Sequence, residues 1–145
     1  MTTSDEATIL ASIRARHAAV HNGRCEDAMA SLSHDIVSYD LQPPLQFTGA
    51  AARDVADLQA WLTTWSGPVS IDLKDPSVAV DHDLAIVRGL SLMRGTKRGE
   101  GPLQLWFRST FALKRTDGVW NTFHEHHSVP MKMDGSGLAA TDLRP

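Results

Sequence analysis

The chain has 145 residues, of which 42% are hydrophobic and 21% charged, the composition of a single globular domain that can bury a core without disulfide staples. A formal charge of -3 supplies no basic field for nucleic acid, and a single cysteine, Cys25, excludes an internal disulfide and suits a reducing compartment. No apolar run reaches membrane-spanning length and the acid-bearing N-terminal stretch is unlike a signal or transit peptide, so a soluble cytoplasmic protein is expected.

Ser4, followed by Asp5 and Glu6, reads as a helix start, with acids in the first turn where they complement the helix dipole. Leu10, Ile13, His17 and Val20 fall on one face of that helix, so His17 is expected to point inward, and Asn22-Gly23 ends it. Cys25 then reads as a small residue at the start of a short second helix over 26–32. Residues 35–39 form a strand by their β-branched and aromatic content, closed by Asp40 and stopped at Pro43-Pro44. From Gly49 to Trp65 the chain is alanine-rich, with Val55, Leu58, Leu62 and Trp65 on one face of a third helix that Gly67-Pro68 closes.

Thereafter the period changes from helical to extended. Residues 69–73 and 78–80 suggest an interrupted strand, and 84–93, 103–114 and 119–129 three longer ones, with Asp117-Gly118 turning between the last two. The Gly-Ser-Gly composition after Met133 reads as a mobile tail, leaving one domain over 1–133 and a tail over 134–145. Helices segregated from a run of long strands predict an α+β fold, with three helices on a curved antiparallel sheet enclosing one pocket.

Strand parity predicts which side chains enter that pocket. A three-residue loop pairing Arg115 with Val119 places Leu105, Phe107, Ser109, Phe111 and Leu113 on the core face, with Phe123, Glu125 and His127. Trp106, Arg108 and Thr110, with His124, His126 and Ser128, take the opposite face and are expected to meet solvent or a second copy of the chain. Glu125 and His127 are then ionisable groups on a core face, a cost tolerated where a sheet opens into a polar pocket. Arg88 is the polar member of the Ile86–Leu90 parity, and it is expected to converge with Asp40, Glu125, His127 and His17.

The stretches SYDLQPPLQFTG, LWFRSTFALKRTDGVW and WNTFHEHHSVP resemble the superfamily of nuclear transport factor 2, ketosteroid isomerase and the SnoaL-like polyketide cyclases. The likeness runs from the first helix to about Pro130. It implies a cone-shaped fold, usually a homodimer, with one deep pocket per subunit. It also implies a general-base aspartate at the end of the first strand, which falls on Asp40 with Tyr39 beside it. The tyrosine that the isomerase carries on its first helix falls on Arg16, and its late-strand acid on Thr110 or Phe111. Its oxyanion hole is therefore missing in the known form, and steroid isomerisation is not expected. In the related kinase association domain an arginine at the position of His127 faces the pocket.

Three functional readings follow. In the first, Asp40 is a base and His127, Arg88 or His17 supplies an acid or steadies negative charge, which suffices for isomerisation, dehydration or cyclisation of a small oxygenated metabolite without a cofactor. Trp61, Trp65, Phe107 and Phe123 form the apolar wall, and Tyr39, Ser109 and Glu125 complete the substrate-binding set. In the second, the pocket binds a small molecule without catalysis. In the third, the face with Trp106, Arg108, His124 and His126 buries against its own copy. His124-Glu125-His126-His127 also raises a metal site, but no third ligand is marked by spacing, so none is expected.

Overall fold

The computed structural model describes residues 3–145. Helix α1 (Thr3–His21) and the five-residue α2 (Cys25–Met29) precede strand β1 (Leu32–Tyr39) and the two-residue β2 (Phe47–Thr48). A 3₁₀ turn (Gly49–Arg53) leads into α3 (Val55–Leu62), and β3 (Ser70–Asp81), β4 (Leu84–Lys97), β5 (Gly101–Thr116) and β6 (Val119–Ser128) complete the fold. The six strands lie in the order β2-β1-β6-β5-β4-β3. All neighbours are antiparallel except β1 and β6, so the sheet is mixed where an antiparallel one was expected.

Local chemistry accounts for the helix ends. Gly23 takes a positive φ of 71°, while its N–H donates to Val20 O at 3.1 Å and that of Arg24 to Ala19 O at 2.8 Å. That pair of bonds satisfies the last carbonyls of α1, and glycine adopts the left-handed conformation without a Cβ penalty. The alanine-rich segment splits into two helical pieces because Asp54 stays extended and caps α3, its Oδ1 accepting from Asp57 N at 3.0 Å. Strand β3 is continuous across the expected interruption, absorbing it as an irregularity between Lys74 and Ser77 with Asp75 at φ 44°.

Two clusters hold the layers together. Ile9 and Ile13 of α1 pack on Leu73, Ala85, Val87, Phe111, Leu113 and Trp120 of β3 to β6. Ala19, Val20 and Ala28 pack with Leu58, Trp61, Leu62 and Ile71, tying the three helices together at the far end of α1. Between these clusters α1 passes over the sheet without filling the space beneath it. That gap positions the site.

The last hairpin departs from the expected register. Asp117 (φ 51°) and Gly118 (φ 79°) form a two-residue turn that pairs Thr116 with Val119, a geometry that aspartate and glycine tolerate. This brings Trp120 and Thr122 onto the core face, where both are buried. A register shift between Ala112 and Leu113 then spans Phe123 and restores the expected faces, pairing Phe111 with Glu125 and Ser109 with His127. The tail is also more ordered than its composition suggests. Lys132 N donates to Leu138 O and Ala140 N to Pro130 O, both at 2.8 Å, and Ala140 is buried.

Candidate functional site

The space left beneath α1 is a cavity of about 410 Å³. Arg16, His17 and Val20 of α1 and Met29 of α2 cover it. Ile71, Ser91, Met93, Leu105 and Phe107 contribute from β3 to β5, and Glu125 and His127 from β6. Ser38 closes the β1 side. The segment after β1 supplies the rest, with Asp40, Leu41, Gln42 and Phe47, then Ala51 and Ala52 of the 3₁₀ turn and Asp54, Asp57, Leu58 and Trp61 around α3.

At the floor, Arg16 meets Glu125 fork to fork. Nη2 donates to Oε1 at 2.9 Å, and Nη1 donates to Oε2 in a second bond. Ser38 Oγ donates to the same Oε1 at 3.4 Å. Burial alone would raise the Glu125 carboxyl pKa, but the charge and hydrogen bonds of Arg16, aided by His127, outweigh it and hold the group well below the usual carboxylate range. The reciprocal balance raises Arg16 above its ordinary value, with burial opposing and Glu125 prevailing. The two charges therefore stay ionised and compensate each other in the interior.

Beside this pair, His127 starts a short chain of hydrogen bonds along the sheet. His127 Nε2 lies 3.8 Å from Glu125 Oε1, its Nδ1 is 2.9 Å from Ser109 Oγ, and Ser109 Oγ is 2.7 Å from Ser91 Oγ. The aromatic rings of Phe107 and Phe111 close edge-on about the imidazole. His127 is thus oriented from one side by hydroxyls and from two others by rings. His17 has a different environment. Its Nδ1 is buried without a partner among the described residues, and burial, then the charges of Arg16 and His127, lower its pKa to about 4. At neutral pH it presents an uncharged imidazole to the cavity.

Of the expected site residues, Asp40, His17, Trp61, Phe107, Glu125 and His127 line the cavity. Asp40 stands at the exposed mouth, its Oδ1 accepting from Leu41 N at 2.7 Å. The other five lie elsewhere. Arg88 pairs with Thr110 on the outer face of the sheet and is exposed, because Ala85, Val87 and Ser91, not the Ile86–Leu90 parity, point at the helices. Phe123 sits at the bulge beneath Lys114 Nζ, 5.3 Å from its ring centroid. Tyr39 turns outward and packs edge-on against His124 and His126. Trp65 is buried behind Trp61 against the backbone of Gly95, where a Cβ would come within 2.8 Å of its ring. Ser109 acts through His127 and is not a wall residue.

Arg16 is the residue that the strand-parity reading passes over. The signal is present in the helix, since Arg16 falls three residues after Ile13 and four before Val20, on the buried face of α1. Ser38, Ser91, Asp54 and Asp57 carry no comparable mark. His124 and His126 take no part in the cavity. His124 Nδ1 donates to Val37 O at 2.7 Å, and among the described residues no group of three or more His, Cys, Asp or Glu is arranged to hold a metal ion.

The lowered pKa of His17 fixes a sign. Below pH 6.5 the unfolded chain takes up a proton that the folded protein refuses, so stability falls as pH drops towards 4 and changes no further below it. The shift corresponds to about 3 kcal/mol. Glu125 contributes in a separate window, since its depressed pKa costs stability only as pH falls below the ordinary glutamate value of 4.5. Urea unfolding at pH 7.5, 5.5 and 4.5 tests the assignment. His17→Gln is expected to gain on the wild type by most of that amount across the range, and two parallel pH profiles would contradict it.

Similarity to known proteins agrees with this architecture. The chain is similar to an NTF2-like protein of unknown function from Pseudomonas putida KT2440, at 29% identity and a TM-score of 0.86 over 100% of this chain and 99% of that one. A candidate scytalone dehydratase from Novosphingobium aromaticivorans DSM 12444 has 18% identity and a TM-score of 0.77 over 95% and 92%. A CamKII hub homology domain from Chlamydomonas reinhardtii has 20% identity and a TM-score of 0.66 over 86% and 97%. No curated protein matches the chain. The family model described as the SnoaL-like domain matches residues 9–132, nearly the whole of the structured chain, and the protein therefore belongs to the SnoaL-like family.

Proposed function

We propose that the protein is a cofactor-independent acid–base catalyst acting on a small oxygenated metabolite, by elimination of water, isomerisation or cyclisation. The observation that carries this reading is a largely apolar cavity with an exposed carboxylate at its mouth and two imidazoles on its inner wall. Proton transfer needs a base that reaches the substrate and a donor at the oxygen where charge develops. Asp40 is free of ion pairing among the described residues and faces incoming substrate as the base. His127, held by Ser109, is the hydrogen-bond donor or acid, and neutral His17 supports the same oxygen without adding charge. Trp61 and Phe107 supply the apolar wall. The likeness to a candidate dehydratase supports this class of chemistry. No described helix is long and apolar enough to cross a membrane, and Cys25 is free and buried.

Deuterium exchange at the α-carbon of ketones and β-hydroxy ketones, followed by proton NMR, reads the chemistry before the substrate is named. Asp40→Asn is expected to slow exchange by about 10²–10⁴ while ligand affinity changes little. Exchange at the wild-type rate would remove Asp40 as the base. If the wild type binds ketones but catalyses no exchange, the pocket is a binding site without catalysis.

A homodimer is compatible with that role, and the outer face of the sheet favours it. Ile86, Leu90 and Tyr39 are 54%, 41% and 38% exposed there, alongside Trp106, Arg108, His124 and His126, and the outward-turned Arg88 joins them. A one-sided sheet with such a surface gains by burying it against a copy. Light scattering at low micromolar concentration is expected to give twice the chain mass, and Leu90→Asp half of that. A monomeric wild type would exclude this interface.

A further inference from the structure

Resting on the reading of the cavity as a ligand site, we propose that it excludes anions, so that its ligand carries no carboxylate, phosphate or sulfate. Three groups on its wall could in principle receive an anion, and each is already taken by a carboxylate of the chain itself. Arg16, the only lysine or arginine lining the cavity among the described residues, is engaged through both terminal nitrogens by Glu125. The N-terminus of α3, whose free N–H groups would otherwise attract an anion, is filled by Asp54, which accepts from Asp57 N at 3.0 Å. The Leu41 N–H at the mouth is bonded to Asp40 Oδ1 at 2.7 Å.

The remaining wall offers no compensation. His17 is uncharged at neutral pH, the Nδ1 of His127 is bonded to Ser109, and its Nε2 lies 3.8 Å from Glu125 Oε1, so a proton there meets the chain's own carboxylate first. Asp40, Asp54 and Asp57 make no ion pair among the described residues, so with Arg16 cancelled by Glu125 they leave the lining negative. An anion entering through this mouth meets three like charges at its solvent-exposed rim and finds no free cation beyond them. An uncharged ketone or alcohol meets the apolar surfaces of Trp61, Phe107 and Ile71 and the unpartnered Nδ1 of His17 without that cost. An amine on the same skeleton gains from the carboxylates. The site therefore ranks amine and neutral ligands above acids, and thioesters of phosphorylated carriers fall outside its range.

Matched probes separate these cases. 2-Acetonaphthone, 2-naphthylmethylamine and 2-naphthoate share one aromatic body, and calorimetry at pH 8 and low salt measures each on the wild-type protein. The naphthoate is expected to bind at least tenfold more weakly than the ketone, and the gap should narrow in 0.5 M salt. Asp54→Asn/Asp57→Asn, in which asparagine keeps the cap on α3, is expected to narrow the gap several-fold. Naphthoate binding as tightly as the ketone, or a gap unmoved by salt and by the double variant, would overturn the charge filter while leaving the cavity reading intact. Binding of none of the three would count against the cavity as a ligand site and against both proposals together.

Discussion

A guanidinium and a carboxylate taken out of water must meet in good geometry or not be buried at all, and this constraint organises the whole floor of the molecule. Arg16 reaches down from α1 and Glu125 up from β6, residues 109 positions apart, and they join through two parallel hydrogen bonds. Desolvation costs several kcal/mol per ion and is offset only when the remaining lone pairs are also used, as Ser38 uses one of Oε1. Apolar side chains of the same size would fill the space. The ion pair instead props the helix over the sheet beside an open cavity of about 410 Å³.

From that pair the site divides into two regions of opposite electrostatic character. The floor is compensated, with Arg16 and Glu125 cancelling and His17 kept neutral by burial. The mouth is acidic, with Asp40 on one side and Asp54 and Asp57 on the other. Between them, the serine pair beneath His127 fixes where its imidazole points. On the proposed reading, a substrate passing from mouth to floor moves from a carboxylate in water to donors in the interior. That gradient is what acid–base chemistry on an uncharged carbonyl compound needs.

Much of this was legible in the sequence. The helical face of α1 and the long strands define the α+β cone, and the oddness of Glu125 and His127 on a core face marks the site. Strand parity fails where one residue is gained or lost, since a single slip reverses every face. The Asp117-Gly118 turn is one residue tighter than expected and the bulge at Phe123 returns that residue, so Glu125 and His127 come out on the expected side while Phe123 and Trp120 exchange roles. Parity alone does not place Arg88, because its strand has apolar residues on both faces and the exposed set reads as the core. The partner of Glu125 escaped because periodicity speaks within an element, whereas that contact crosses the fold.

If the ion pair is the keystone, its two halves cannot be independent. Urea unfolding of Arg16→Met, Glu125→Gln and the double variant measures their coupling. Removing Arg16 alone is expected to cost about 3–5 kcal/mol, because it leaves a buried carboxylate unpaired, while the double variant costs clearly less than the sum of the singles. Two small and additive losses, each below about 1 kcal/mol as at a solvent-exposed pair, would contradict the account.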